Sequence, residues 1–252
     1  MDVRGFTLIE LIVVIVIVGI LSALGGQFIV APITGYVDLS RRAKLVDQAE
    51  MALRRIQRDI RHALPNSIPA VNSGTSLTMI NTVDGGRYRR YVAADGTGDI
   101  LDFGALDNSF DVLGSLREVP STDHYVVIYN VSPGDTGNRR NVIAGSTIDH
   151  IRLAPIADLS NQFSQSSPHQ RFFIVDETVT YRCDDDTLWR DTVKLAGGVT
   201  SSALVTRGIS DCGFTYDPGA TQRAGLVTMR LTLEEQGERI TLLHQVHVVN
   251  AP

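Results

Sequence analysis

Gly5-Phe6-Thr7-Leu8-Ile9-Glu10, followed at once by an apolar run from Leu11 to Leu24 that largely continues to Val30, decides how this chain is built. From Leu8 to Val30 the only ionisable side chain is Glu10. A charge at the centre of a membrane helix costs about 2.5–3.5 kcal/mol on insertion scales, and less near an end, so a lone carboxylate at the head of such a run implies a use for it. Leu11 to Val30 supplies 20 residues. At about 1.5 Å per residue they cross a hydrocarbon core of roughly 30 Å. Gly19, Gly25 and Gly26 allow close approach of another helix.

Beyond the span, Pro32 is expected to kink the helix, and the helical pattern resumes to Leu64. Leu39, Val46, Leu53 and Ile60 recur every seven residues, with Ala49, Ile56 and Ala63 filling in, which predicts a narrow apolar stripe. Pro65-Asn66-Ser67 stops it. If Pro32 and Gly35 leave the helix unbroken, Phe6 to Leu64 is one rod of 59 residues, about 88 Å long. Between Asp38 and Leu64 seven Lys or Arg face four Asp or Glu, whereas residues 65–252 carry 15 basic against 22 acidic side chains. The arginines at 54, 55, 58 and 61 lack interleaved aromatics, and the acidic remainder opposes nucleic-acid binding. Arg41, Arg42 and Lys44 outnumber Arg4 across the span, so loop charge alone would put the C-terminal side in the cytoplasm. Long domains are translocated largely regardless of that bias.

Residues 65–252 are enough for one sizeable core, and their punctuation is that of an antiparallel β domain. Ser76–Val83 and Arg87–Ala93 flank Asp84-Gly85-Gly86, which reads as a hairpin. Tyr125–Val131 reads as a strand stopped by Ser132-Pro133-Gly134. Two further hairpins are expected, Phe172–Arg182 with Leu188–Val193, and Leu226–Leu233 with Ile240–Val249. Val227, Met229 and Leu231 alternate with more polar neighbours, which marks one buried face. The stretches 135–141 and 161–170 read as polar loops.

No catalytic constellation stands out. His62, His124, His150, His169, His244 and His247 are scattered, and no nucleophile elbow, His-Glu-x-x-His or phosphate loop is present. Asp95-Gly-Thr-Gly-Asp99 and Asp184-Asp185-Asp186 have the look of calcium loops but lack the EF-hand spacing, and turn chemistry explains both. No cofactor is expected.

Arg4-Gly5-Phe6-Thr7-Leu8-Ile9-Glu10-Leu11 resembles the class III signal of type IV prepilins and type II secretion pseudopilins. The resemblance implies an α+β, type IV pilin-like fold: a long N-terminal helix, half membrane and half amphipathic, packed on an antiparallel β C-terminal domain. It implies a leader at 1–5, a transmembrane and assembly helix at 6–31, an amphipathic continuation at 32–64 and a β-rich periplasmic domain at 65–252. A prepilin peptidase would cut between Gly5 and Phe6 and N-methylate Phe6, and Glu10 would meet the freed amine of a neighbouring subunit during assembly. The implied function is that of a minor pilin or pseudopilin rather than an enzyme. The implied partners are other major and minor pilins, the prepilin peptidase, the inner-membrane assembly platform and the membrane. In an exported chain, Cys183 and Cys212, the only cysteines, most simply form a disulfide, the alternative being two unrelated buried thiols. A membrane-anchored periplasmic enzyme, a sugar-binding module, and a secretory signal cleaved after Ala23 remain alternatives at this point.

Overall fold

The structure is a computed structural model that describes residues 5–134, 138–159, 162–198, 200–219 and 225–250. Residues 1–4 of the expected leader lie outside the described residues. Helix α1 (Leu8–Arg61) is 54 residues long and runs without a break through Pro32 and Gly35. Its length is therefore about 81 Å. It ends three residues before Leu64, because tertiary pairing takes over. Thr82 N–H donates to the His62 carbonyl and Leu64 N–H to the Ile80 carbonyl, so the chain peels off the helix onto a strand before Pro65 is reached.

Among the described residues twelve strands follow in chain order: β1 (Val71–Gly74), β2 (Ser76–Arg87), β3 (Ser109–Asp111), β4 (Tyr125–Val127), β5 (Arg139–Asn141) and β6 (His150–Arg152), then β7 (Arg171–Asp184), β8 (Thr187–Lys194), β9 (Thr200–Arg207), β10 (Ile209–Asp217), β11 (Gly225–Glu235) and β12 (Glu238–Val248). One antiparallel sheet has the order β1-β10-β11-β12. The other is organised by β7, which pairs with β2 along one edge and with β8 and β4 along the opposite edge, β9 and β5 lying outside them. A small pair, β3-β6, stands apart. The fold is thus α+β, one long N-terminal helix against antiparallel sheets.

The outer half of α1 packs on β11 and β12. The buried stripe is Leu45, Ala49, Ala52, Leu53, Ile56 and Ile60, while Leu39 is 67% exposed. A strict seven-residue repeat drifts around a 3.6-residue helix, so the stripe that meets the sheet follows spacings of three and four and begins only at Leu45. Above it, Arg42 and Lys44 reach Glu238 and Glu235 at 3.4 and 3.6 Å. These two glutamates oppose each other across the β11–β12 turn, a like-charge pair that the two helix cations offset. The hairpin turn itself is Gln236-Gly237, both at positive φ, tighter than the loop expected from the sequence. Val227, Met229, Leu231 and Leu233 form its buried face.

The first expected hairpin is absent. β2 runs straight through Asp84-Gly85-Gly86, with Gly85 opposite Phe173 and Gly86 opposite Phe172. The glycines serve close approach instead of a turn. A Cβ on Gly85 would sit 3.0 Å from the Phe172 carbonyl oxygen, and one on Gly86 3.1 Å from the Phe172 ring. The strand expected at Tyr125–Val131 is shortened to three residues, and Tyr129 turns the chain at φ 52°. The β7–β8 hairpin forms as expected across Asp185-Asp186.

The polar stretches read as loops contain buried structure. Arg140 is 5% exposed and Gln162 3%, with Phe163 and Ser167 beside them equally enclosed. Residues 88–174 build a second core from Tyr88, Phe110, Val126, Ile151, Phe163 and Phe172, separate from the one under α1. Parts of both expected loops, 135–137 and 161, lie outside the described residues.

Candidate functional site

Helix α1 begins at Leu8 because Thr7 caps it. Thr7 is extended (φ −81°, ψ 150°), its carbonyl accepts from the N–H groups of Glu10 and Leu11, and its hydroxyl accepts from Glu10 N–H at 3.4 Å. Gly5, Phe6 and Thr7 are therefore outside the helix. Glu10 is the acidic residue of the first turn, where the helix dipole favours a negative charge. Leu8–Gly25 has a mean hydropathy of 2.8 and none of it is buried inside the structure. An uninterrupted apolar surface of that length is stable only against lipid or other apolar helices. Phe6 lies four residues before Glu10, so a positive charge created at residue 6 would fall on the same side of the helix as the carboxylate if the helix continued back to it.

Residues 1–25 match the family described as the prokaryotic N-terminal methylation motif. The N-terminus is a type IV prepilin-like class III signal. No curated protein and no solved structure matches the chain. The motif brings Gly5, Phe6 and Glu10 into one short segment and ties the protein to prepilin peptidase processing and to a pilus assembly context. With the apolar span Leu8–Gly25 that it contains, it supports a membrane-anchored, type IV pilin-like protein.

Cys183 on β7 and Cys212 on β10 are joined in a disulfide, with their Cα atoms 6.5 Å apart. The bond staples the two large sheets at the core beneath α1. Cys212→Ser is expected to lower stability by about 2–4 kcal/mol, because the partners are 29 positions apart in sequence and the unfolded chain regains the freedom of that loop. Denaturant titration with and without reductant checks this, and a change below about 1 kcal/mol would contradict it.

A second clamp fixes α1 to the other sheet. Asp59 accepts from the Tyr181 hydroxyl at 2.8 Å and from Arg190 Nε at 2.7 Å, and Arg190 also lies 3.5 Å from Glu177. Burial, and then the Asp59 charge, push the Tyr181 phenol well above its ordinary value, so it stays a proton donor at any physiological pH.

Four carboxylates of the calcium-like loops accept from donors of the chain itself, in their own turns or on adjoining strands. Asp95 accepts from Thr97 N–H and hydroxyl, Asp99 from Ser109, Asp184 from Arg182, and Asp186 from Thr187. His150 faces Asp111 at 2.9 Å. Burial raises the Asp111 carboxyl, but the His150 hydrogen bond, the Asp99 N–H and the His150 and Arg89 charges outweigh that and hold it below the usual carboxylate range. His124 lines a cavity of about 210 Å³ with Val83, Arg117 and Ile174, its Nδ1 accepting from Ser121 N–H. His244 and His247 lie on β12, one half-buried and one exposed.

Sequence reasoning missed Arg140 and Thr7. For Thr7 a signal was present, because Thr-x-x-Glu is the spacing of a capping box. For Arg140 nothing local marks it, since its four acceptors come from distant segments.

Proposed function

We propose that this chain is a minor pilin that takes part in the assembly, initiation or tip of a type IV pilus of the mannose-sensitive haemagglutinin (MSHA) type, and that it acts without catalysis. The observation that carries the reading is the lipid-ready helix Leu8–Gly25 with one carboxylate at its head, lying within the matched motif at residues 1–25. Resemblance of Arg41–Ala63, the Cys183/Cys212 pair and the ending Leu243–Pro252 to a minor pilin of that pilus supports the finer assignment. The partners would be other major and minor pilins, the inner-membrane assembly platform, and the prepilin peptidase, for which the chain is a substrate. The span would cross the inner membrane once, residues 65–252 would be periplasmic, and an assembled copy would reach the cell surface at the pilus tip.

The test is deletion of the chain in its own cells. Loss of most surface pili, with the major pilin still present in the membrane, supports the reading. A subunit that starts filaments acts at a few copies each, so partial depletion should change filament number more than filament length. Intact pili with loss of protein secretion would move the chain to the minor, J-like pseudopilins of type II secretion. Intact pili with loss of a periplasmic hydrolytic activity would overturn the reading in favour of an anchored enzyme.

A further inference from the structure

We propose that Thr7 is a positioning residue for the cleavage between Gly5 and Phe6, acting by fixing where α1 begins; this rests on the processing implied by the proposed function. Peptide hydrolysis needs the carbonyl carbon of Gly5 open to attack and the Phe6 nitrogen open to protonation. A peptide within a helix has its carbonyl turned into the hydrogen-bond ladder, out of reach of a nucleophile. In this structure the Thr7 carbonyl accepts from the Glu10 and Leu11 N–H groups, the Thr7 hydroxyl shares the Glu10 N–H at 3.4 Å, and the scissile bond stands two residues outside the helix. Glu10 at the third helical position completes the capping-box spacing, and the Thr7 hydroxyl supplies one half of that box.

The boundary needs a cap because its surroundings favour elongation. The free N–H groups of the first turn lie at the head of an apolar span, and each is costly where water is scarce. Without the Thr7 hydroxyl, the helix gains by winding back through Phe6 and Gly5, which moves the free N–H groups towards water and draws the Gly5 carbonyl into the ladder. The capping hydroxyl holds the start at Leu8 and leaves the cleavage site extended. Ser and Asn cap as well as Thr, whereas Ala does not, and the difference corresponds to about a fivefold shift in the population of the capped start.

The full-length precursor is expressed in membranes with its prepilin peptidase, and the conversion rate is followed by pulse-chase. Thr7→Ala is expected to slow cleavage about fivefold and Thr7→Ser to cleave within about twofold of the native chain. Backbone chemical shifts of the uncut precursor in micelles should become helical at Phe6 in Thr7→Ala and stay extended in Thr7→Ser. Cleavage of Thr7→Ala at the native rate would overturn the proposal, as would a Thr7→Ser variant as slow as Thr7→Ala. A native precursor that is never cut would overturn the proposed function along with it, whereas a native chain cut between Gly5 and Phe6 beside a Thr7→Ala variant cut at the same rate overturns the role of Thr7 alone and leaves that function standing.

Discussion

Replacing Arg140 by methionine is expected to lower the stability of the full chain by about 3–5 kcal/mol. The guanidinium is the hub of the second core. It donates to the Asp107 carbonyl at 2.6 Å, Gln162 Oε1 at 2.7 Å, Asn108 Oδ1 at 2.8 Å and the Ala154 carbonyl at 2.7 Å. Burial pushes it below the ordinary arginine value, with Asp107 nearby opposing that shift. Swapping a buried ion for an apolar residue is often neutral when its partners go with it. Here the partners stay: two carbonyls and the Asn108 amide oxygen would lose this donor, each at a cost of about 1–3 kcal/mol before relaxation, and Gln162 Oε1 would keep the Phe163 N–H. Gln162 would still lose its Arg140 anchor, and its amide holds the Asp102 and Ala105 carbonyls. Arg140→Lys keeps the charge but not the planar fork, so most of the loss should remain. Urea titration of the detergent-solubilised protein checks both, and a shift below about 1 kcal/mol for Arg140→Met would show that water replaces the guanidinium without penalty.

The second large effect is functional. Glu10→Val should insert into the membrane at least as well as the native chain, since it removes the only charge between Leu8 and Val30. It should nonetheless be nearly absent from assembled filaments. In the proposed assembly, a neighbouring subunit's amine compensates the carboxylate, and opposite charges about 4 Å apart at an effective dielectric of 20 attract with about 4 kcal/mol. Even a third of that, surviving desolvation, is about tenfold in incorporation. The measurement is the ratio of variant to native protein in sheared pili, with membrane levels matched. Equal incorporation would show that Glu10 has no part in docking.

Much of the fold was legible because its signals are local. The membrane half of α1 is a continuous apolar run, and the β7–β8 and β11–β12 hairpins have alternating strands on either side of short polar turns. The failures came from contacts between distant segments. Asp84-Gly85-Gly86 has the composition of a turn, but its glycines answer to Phe172, some 86 positions away. Leu39 fits a heptad, yet the sheet is out of its reach, and Leu45 does the packing instead. Arg140 and Gln162 lie in stretches polar enough to read as loops, and only the meeting of segments near 105, 140, 154 and 162 turns that polarity into a buried network. At the candidate site, the motif residues Gly5, Phe6 and Glu10 were readable directly. The Cys183–Cys212 pairing followed once export was expected, since no other cysteine competes.

Mass spectrometry of the mature N-terminus, on protein purified from its own membranes, tests the central claim most directly. A first residue of N-methylated Phe6, with Met1 to Gly5 removed, is the predicted result. An N-terminus at Leu24, as left by a conventional secretory signal cut after Ala23, would contradict that claim, because most of the apolar span and the Glu10 carboxylate on which assembly depends would then be gone.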